Sequence, residues 1–137
     1  MLGKTRFTSE LQVRPDDIDM NNHVHASKYF DYVLAARYDQ MARCYKMGME
    51  GFLARGLGWF VRSAHIEYKR PLKIGEHFSV TTWIDQVDDQ SVRVQFEITK
   101  RSNGKTSAEG HCVYTLVSAE SGRAQSIPPD VLAKYTV

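Results

Sequence analysis

A chain of 137 residues is long enough for one domain with a real hydrophobic core, and 42% hydrophobic residues, 25% charged residues and four prolines make an ordinary globular composition. A net charge of +2, with no lysine/arginine block longer than two, argues against a nucleic-acid partner, and no apolar run approaches the ~20 residues of a membrane helix. The opening "MLGKTRFTSE" lacks the apolar centre of a secretory signal, and Cys44 and Cys112 share no CxxC spacing. The expectation is a cytoplasmic protein, one domain over 1–137, with two reduced and largely buried thiols.

In chain order, "TRFTSELQVR" alternates Phe7, Leu11 and Val13 against Thr8, Glu10, Gln12 and Arg14, the period of a half-buried strand that Pro15 ends. From about Ala26 to Lys46 the spacing becomes helical, with Tyr29, Val33, Ala36 and Met41 in register. Phe30, Leu34, Ala35 and Tyr38 make further faces apolar, so this helix needs cover on more than one side. A sheet curled around it would provide that. A shorter helix is predicted near Glu50 to Arg55, closed by Gly56 and Gly58.

Four strand patterns follow. In "WFVRSAHIEY" Phe60, Arg62, Ala64, Ile66 and Tyr68 share a face. "EHFSVTTWID" alternates Phe78, Val80, Thr82 and Ile84, and "SVRVQFEITK" alternates Val92, Val94, Phe96 and Ile98. "TSAEGHCVYTLVS" completes the set, its Gly110 marking a bulge or a close approach of the helix. Turn signals separate them: "PLKIGE", "QVDDQ", and "RSNGK" with its Asn-Gly hairpin pair. The order of strand, helix and strand run predicts an α+β fold, one long helix on a curved antiparallel sheet of about five strands. Edge strands of such a sheet are commonly hidden by dimerisation.

Between the first strand and the helix lies "RPDDIDMNNHVHASKYF", a crowd of acids, amides and histidines. The segment "DIDMNNHVHASKYFDYVLAAR" resembles the hotdog-fold acyl-CoA thioesterases of the 4-hydroxybenzoyl-CoA thioesterase-like group. Their signature is D-x-D, a short loop often reading H-V-N-N, and an aromatic residue opening the central helix. "WFVRSAHIEYKRPLKIGEHFSVTTWI" and "CVYTLVSAESGRAQSIPPDVLAKY" are similar to the family's later strands and short terminal helix.

The resemblance implies a metal-independent hydrolase of coenzyme A or acyl-carrier-protein thioesters, working as a dimer or tetramer. Coenzyme A would enter as part of the substrate, and no cofactor is implied. The second acid of D-x-D, here Asp19, becomes the catalytic carboxylate, and the amide polarising the carbonyl falls near Ala26. The chemistry is consistent: a thioester carbonyl needs a carboxylate to attack or to activate water, and N–H donors at a helix start for the developing oxyanion.

Each candidate also has a structural alternative. Aspartates such as Asp19 commonly cap turns; Asp17 is expected to hold the loop and Asp16 to be solvated. His23 either orients the carboxylate or water, or bonds the loop backbone. His25 stands where the family pattern has its first asparagine, and is carried as a further catalytic candidate. Asn22 is a substrate contact or a turn residue, and Tyr29 an acyl-pocket wall or helix packing. Lys69 and Arg70 are cations for substrate phosphates or solvated surface groups, as are Lys73, Arg93, Lys100, Arg101 and Lys105. Asp88 and Asp89 reverse the charge of a turn that is basic in the 4-hydroxybenzoyl-CoA enzymes. His65 and His111 have no acid or cysteine at ligand spacing, so no metal site is expected, and His77 is expected to be exposed. Two other readings share the fold: a hydratase or dehydratase, whose motif has an Asn-Pro that Asp19 to His23 lacks, and a non-enzymatic acyl-ligand-binding module.

Overall fold

A computed structural model describes residues 5–135; the first four residues of the N-terminal segment read above lie outside it. Strand β1 (Phe7–Gln12) is followed by a single 3-10 turn at Pro15–Asp17, helix α1 (Lys28–Arg43) and helix α2 (Met49–Ala54). Then come β2 (Leu57–Tyr68), β3 (His77–Val87), β4 (Ser91–Lys100), β5 (Thr106–Ser118) and α3 (Pro129–Tyr135). The five strands form one antiparallel sheet in the order β1-β3-β4-β5-β2, with the long helix against its inner face. The expected α+β architecture is therefore observed.

The alternation in β3 and β4 translates directly into burial. Phe78, Val80, Thr82 and Ile84, and Val92, Val94, Phe96 and Ile98, all face the core. Helix α1 adds Tyr29, Tyr32, Val33, Ala36 and Met41. Gln40, wholly buried, docks the helix by donating to the carbonyls of Phe7 and Val80 and to Ser9 Oγ, while the Thr82 hydroxyl donates to its carbonyl oxygen. All its polar atoms are thereby satisfied, as burial demands.

The structure departs from the sequence expectations at several points. Helix α1 starts at Lys28, with Ser27 at its N-cap, so Ala26 sits in the preceding turn. Its second apolar face is left open: Leu34 and Tyr38 are exposed. Gly56, with φ +70°, closes α2, whereas Gly58 belongs to β2. In β2 the register shifts between Val61 and Ser63, so Arg62 is an extra residue. A one-residue insertion reverses every later side chain. Trp59 and Val61 therefore share the inner face with Ala64, Ile66 and Tyr68, while Phe60 points outward, 61% exposed. Gly110 does meet a close approach, but of a strand: a Cβ there would lie 1.8 Å from the His65 carbonyl oxygen of β2. The Asn-Gly pair lies in a longer connection than a two-residue turn, Gly104 (φ +69°) donating to the Lys100 carbonyl at 2.8 Å.

Because β2 pairs with β5 while β3 lies between β4 and β1, the chain must cross the sheet's end between Lys69 and Glu76. It is pinned there by Lys69 and Arg70 N–H to the Ser107 carbonyl at 2.8 and 3.0 Å. The Ser107 hydroxyl donates to the Arg70 carbonyl at 2.7 Å. That crossing brings a basic segment against the acidic loop preceding α1.

Candidate active site

The loop from Ile18 to Val24 closes on itself. Ile18 and Val24 form an isolated bridge, and Asp19 N–H donates to the His23 carbonyl at 2.8 Å. Asp19 Oδ1 accepts the N–H groups of Asn21 (2.8 Å) and His23 (3.1 Å). These bonds hold its carboxyl below the usual aspartate range, His23 N–H being the larger cause and Asn21 N–H the second. Both use Oδ1, and Oδ2 accepts no hydrogen bond among the described residues. Asp19 thus caps its own loop and still presents an ionised oxygen.

The loop is tied to its surroundings on two sides. Asp17 is buried, 7% exposed; its Oδ2 accepts the Tyr32 hydroxyl at 2.7 Å and its carbonyl accepts His25 N–H at 2.9 Å. Burial first, and the Asp17 bond second, push the Tyr32 phenol far above its ordinary value, so it remains a donor. On the other side Val24 N–H bonds the Leu72 carbonyl at 2.8 Å, and Leu72 N–H bonds the Tyr29 hydroxyl at 3.1 Å. Asp17 therefore has the loop-holding position expected of it, and Asp16 lies on the surface, paired with Arg14 at 3.2 Å.

Between loop and crossing lies an open cleft of about 360 Å³, walled by Asp19, His23, Ala26, Tyr29, Lys69 and Arg70, with Val24, Tyr68 and Pro71. Those first six were all singled out from sequence. Ala26 N–H has no acceptor among the described residues, and its carbonyl takes the Tyr68 hydroxyl at 3.2 Å. His23 lines the cleft without a hydrogen bond from its ring among the described residues. Tyr29 is at once buried packing, edge-on to Tyr68 at 5.2 Å, and cleft wall. Lys69 pairs with Glu109 at 3.2 Å, and Arg70 donates to the Thr106 carbonyl at 2.8 Å.

Two candidates are not brought into the cleft. Asn22 has φ 59° and its Oδ1 accepts Ile74 N–H at 3.2 Å, which is turn chemistry. His25 Nδ1 pairs with the Ser27 hydroxyl at 2.9 Å and accepts Ser27 N–H at 3.3 Å, fastening the turn before α1. Tyr68 was missed as a site residue; its position last in β2, just before the basic pair, was the available signal. Of the other cations, Arg93 is engaged by Asp85 at 2.9 Å and Lys100 by Glu76 at 3.4 Å. Asp89 in the acidic turn accepts the Ser126 hydroxyl at 2.8 Å. Cys112 is buried and Cys44 half-buried, both free thiols. Among the described residues no group of three or more His, Cys, Asp or Glu can hold a metal ion, and no helix is long and apolar enough to cross a membrane.

A central helix held in a five-stranded antiparallel sheet, with an acidic loop leading into its N-terminus, is the hotdog architecture of thioester hydrolases. Residues 13–135 match the thioesterase-like superfamily, and the chain belongs to it. It is similar to the long-chain acyl-CoA thioesterase FadM of Escherichia coli K12, 19% identical over 126 residues, covering 92% of this chain and 94% of that protein. The fold is shared with a DHNA-CoA thioesterase from Staphylococcus aureus at a TM-score of 0.89 and 16% identity, covering 95% of this chain and 88% of that one. It is shared as well with the S. aureus protein SAV2348, solved in complex with CoA, at a TM-score of 0.86 and 19% identity over 98% and 84% of the two chains.

Proposed function

We propose that this protein hydrolyses acyl thioesters of coenzyme A or an acyl carrier protein in the cytoplasm, with Asp19 as the catalytic carboxylate. The observation that carries this reading is one cleft walled by an ionised, partly unbonded carboxylate, an unpaired backbone amide at a helix start, and two cations. Ala26 N–H, backed by the positive end of the α1 dipole, donates to the carbonyl oxygen as that oxygen gains charge. Asp19 then either attacks the carbonyl carbon or takes a proton from the water that does. The C–S bond breaks, the coenzyme A thiolate leaves and takes up a proton, and the acyl group ends as a free carboxylate. In the nucleophilic route, water cleaves the acyl–Asp19 anhydride to the same product.

His23 orients the water or the carboxylate from the cleft wall, and Tyr29 bounds the reacting end of the acyl group. Lys69 and Arg70 at the mouth meet substrate phosphates, a role supported by their charge and by the CoA-bound structural relative. Edge strand β2, exposed from Arg62 to His65, is the surface we assign to pairing with a second copy, in a dimer or a tetramer of dimers.

The test is a thiol-release assay over acyl-CoA and acyl-carrier thioesters, comparing wild type with Asp19→Asn. Loss of at least about a hundredfold in kcat is expected, the scale of a positioned acid–base or nucleophilic group. Full turnover by the variant on the best substrate would remove Asp19 from the mechanism.

A further inference from the structure

A second cavity, also of about 360 Å³, lies further along α1, enclosed by Leu34, Met41, Met49, Trp59 and Val61 among others. Its lining is mostly apolar, and Arg37 is the one charged side chain in it. Arg37, only 6% exposed, lines this cavity, and its Nη1 has no hydrogen-bond partner among the described residues. None of the ion pairs among the described residues involves it. Its guanidinium lies 5.2 Å from the centre of the Tyr45 ring and 6.0 Å from that of Tyr114, contacts that do not neutralise it. Among the described residues the other buried side-chain polar atoms without a hydrogen-bond partner are Trp59 Nε1 and Tyr114 OH, on residues that line the same cavity.

These three orphans share one chemistry. A guanidinium and an indole N–H only donate, and a phenol can donate. The acceptor that Arg37 faces is a neutral phenol, that of Tyr114, whereas a buried cation calls for an anionic one. The surrounding walls call for an apolar body. Glu50, next to the lining residue Met49 in sequence, does not supply the anion: it accepts the Tyr38 hydroxyl and forms no ion pair with Arg37.

We infer that this cavity binds the carboxylate end of an apolar chain, and that the chain is the acyl tail of the substrate, making the preferred substrate an ω-carboxyacyl thioester. The step rests on the thioesterase reading above. Phe30, Leu34 and Tyr38, spaced four residues apart, follow one face of α1 from its first turn, where Tyr29 walls the Asp19 cleft, to the cavity that Leu34 and Tyr38 line. From Lys28 to Arg37 the helix rises about 14 Å at 1.5 Å per residue, the span an extended acyl chain must bridge. The same chemistry is offered by a free fatty acid, whose carboxylate would enter with its tail pointing the other way.

The experiment pairs CoA thioesters of equal chain length, decanoyl-CoA and its ω-carboxylated counterpart, against wild type, Arg37→Met and Trp59→Phe. Wild type is expected to favour the ω-carboxylated thioester by about ten- to a hundredfold in kcat/KM, the scale of one or two charge-assisted hydrogen bonds. Arg37→Met is expected to abolish that preference, and Trp59→Phe, which keeps the charge, to weaken it severalfold. Equal or slower turnover of the ω-carboxylated thioester by wild type would overturn the inference, as would a preference that survives Arg37→Met. Calorimetric binding of the same pair to Asp19→Asn reads the tail preference without turnover. Absence of hydrolysis alone would then refute the hydrolase reading while this comparison still decides about the cavity. Decanoate against decanol forms the last arm: Arg37-dependent binding of decanoate without any ω-carboxyl preference would overturn the substrate assignment in favour of the free acid.

Discussion

Replacing Tyr32 by phenylalanine isolates the contact that holds the acidic loop against α1. The hydroxyl donates to Asp17 Oδ2 at 2.7 Å in a buried setting, and Asp17's carbonyl in turn holds His25 N–H, just before the turn that opens the helix. The ring itself stays packed 4.8 Å from Phe78 and 6.3 Å from Tyr29, so the loss is confined to the hydrogen bond. Removing a buried partner of a carboxyl group costs about 1.5–3 kcal/mol. For a chain of this length that is a fall in Tm of about 5–10 °C. The loop carrying Asp19 should loosen with it, and misplacement by about 1 Å lowers kcat by up to a hundredfold. Thermal unfolding followed by circular dichroism, with kcat and KM on the best thioester, measures both. A Tm within about 1 °C of wild type together with unchanged kcat would refute the tether.

Gly110→Ala should destabilise by about 3 kcal/mol in urea unfolding, because a Cβ 1.8 Å from the His65 carbonyl forces β2 and β5 apart; a neutral outcome would mean the strands yield freely. The acid limb of kcat/KM should fall below the usual aspartate range. Asp19 is active when ionised and its carboxyl is depressed by the His23 and Asn21 amides, so activity persists as pH drops until that carboxyl protonates; an acid midpoint above pH ~5 would contradict it. The same depression stabilises the fold above the unfolded aspartate's range and is lost as pH falls through the folded value. Cys112, its thiol pushed up to about 11 by burial, should resist a disulfide reagent at pH ~8 in the folded protein and react only on unfolding; rapid modification of both thiols in the native state would show the core open.

By itself the sequence determined what depends on neighbours along the chain. The period-two runs of β1, β3 and β4 and the helical spacing of α1 fixed the elements, since side-chain direction within an element follows from backbone geometry alone. The acidic loop and the basic pair were legible as types, and six of the residues singled out do line one cleft. Tertiary structure decided the rest. The bulge at Arg62, which turns Phe60 outward, follows from pairing with β5 and leaves no mark in the local pattern. The crossing that seats Lys69 and Arg70 opposite Asp19 depends on strand order. His25 and Asn22 left the cleft because nearby backbone and hydroxyl groups offered them hydrogen bonds. Arg37 reads in sequence as one more helical cation. Only burial among aromatic side chains, most of them remote in sequence, takes it out of water and leaves its Nη1 without a hydrogen-bond partner among the described residues.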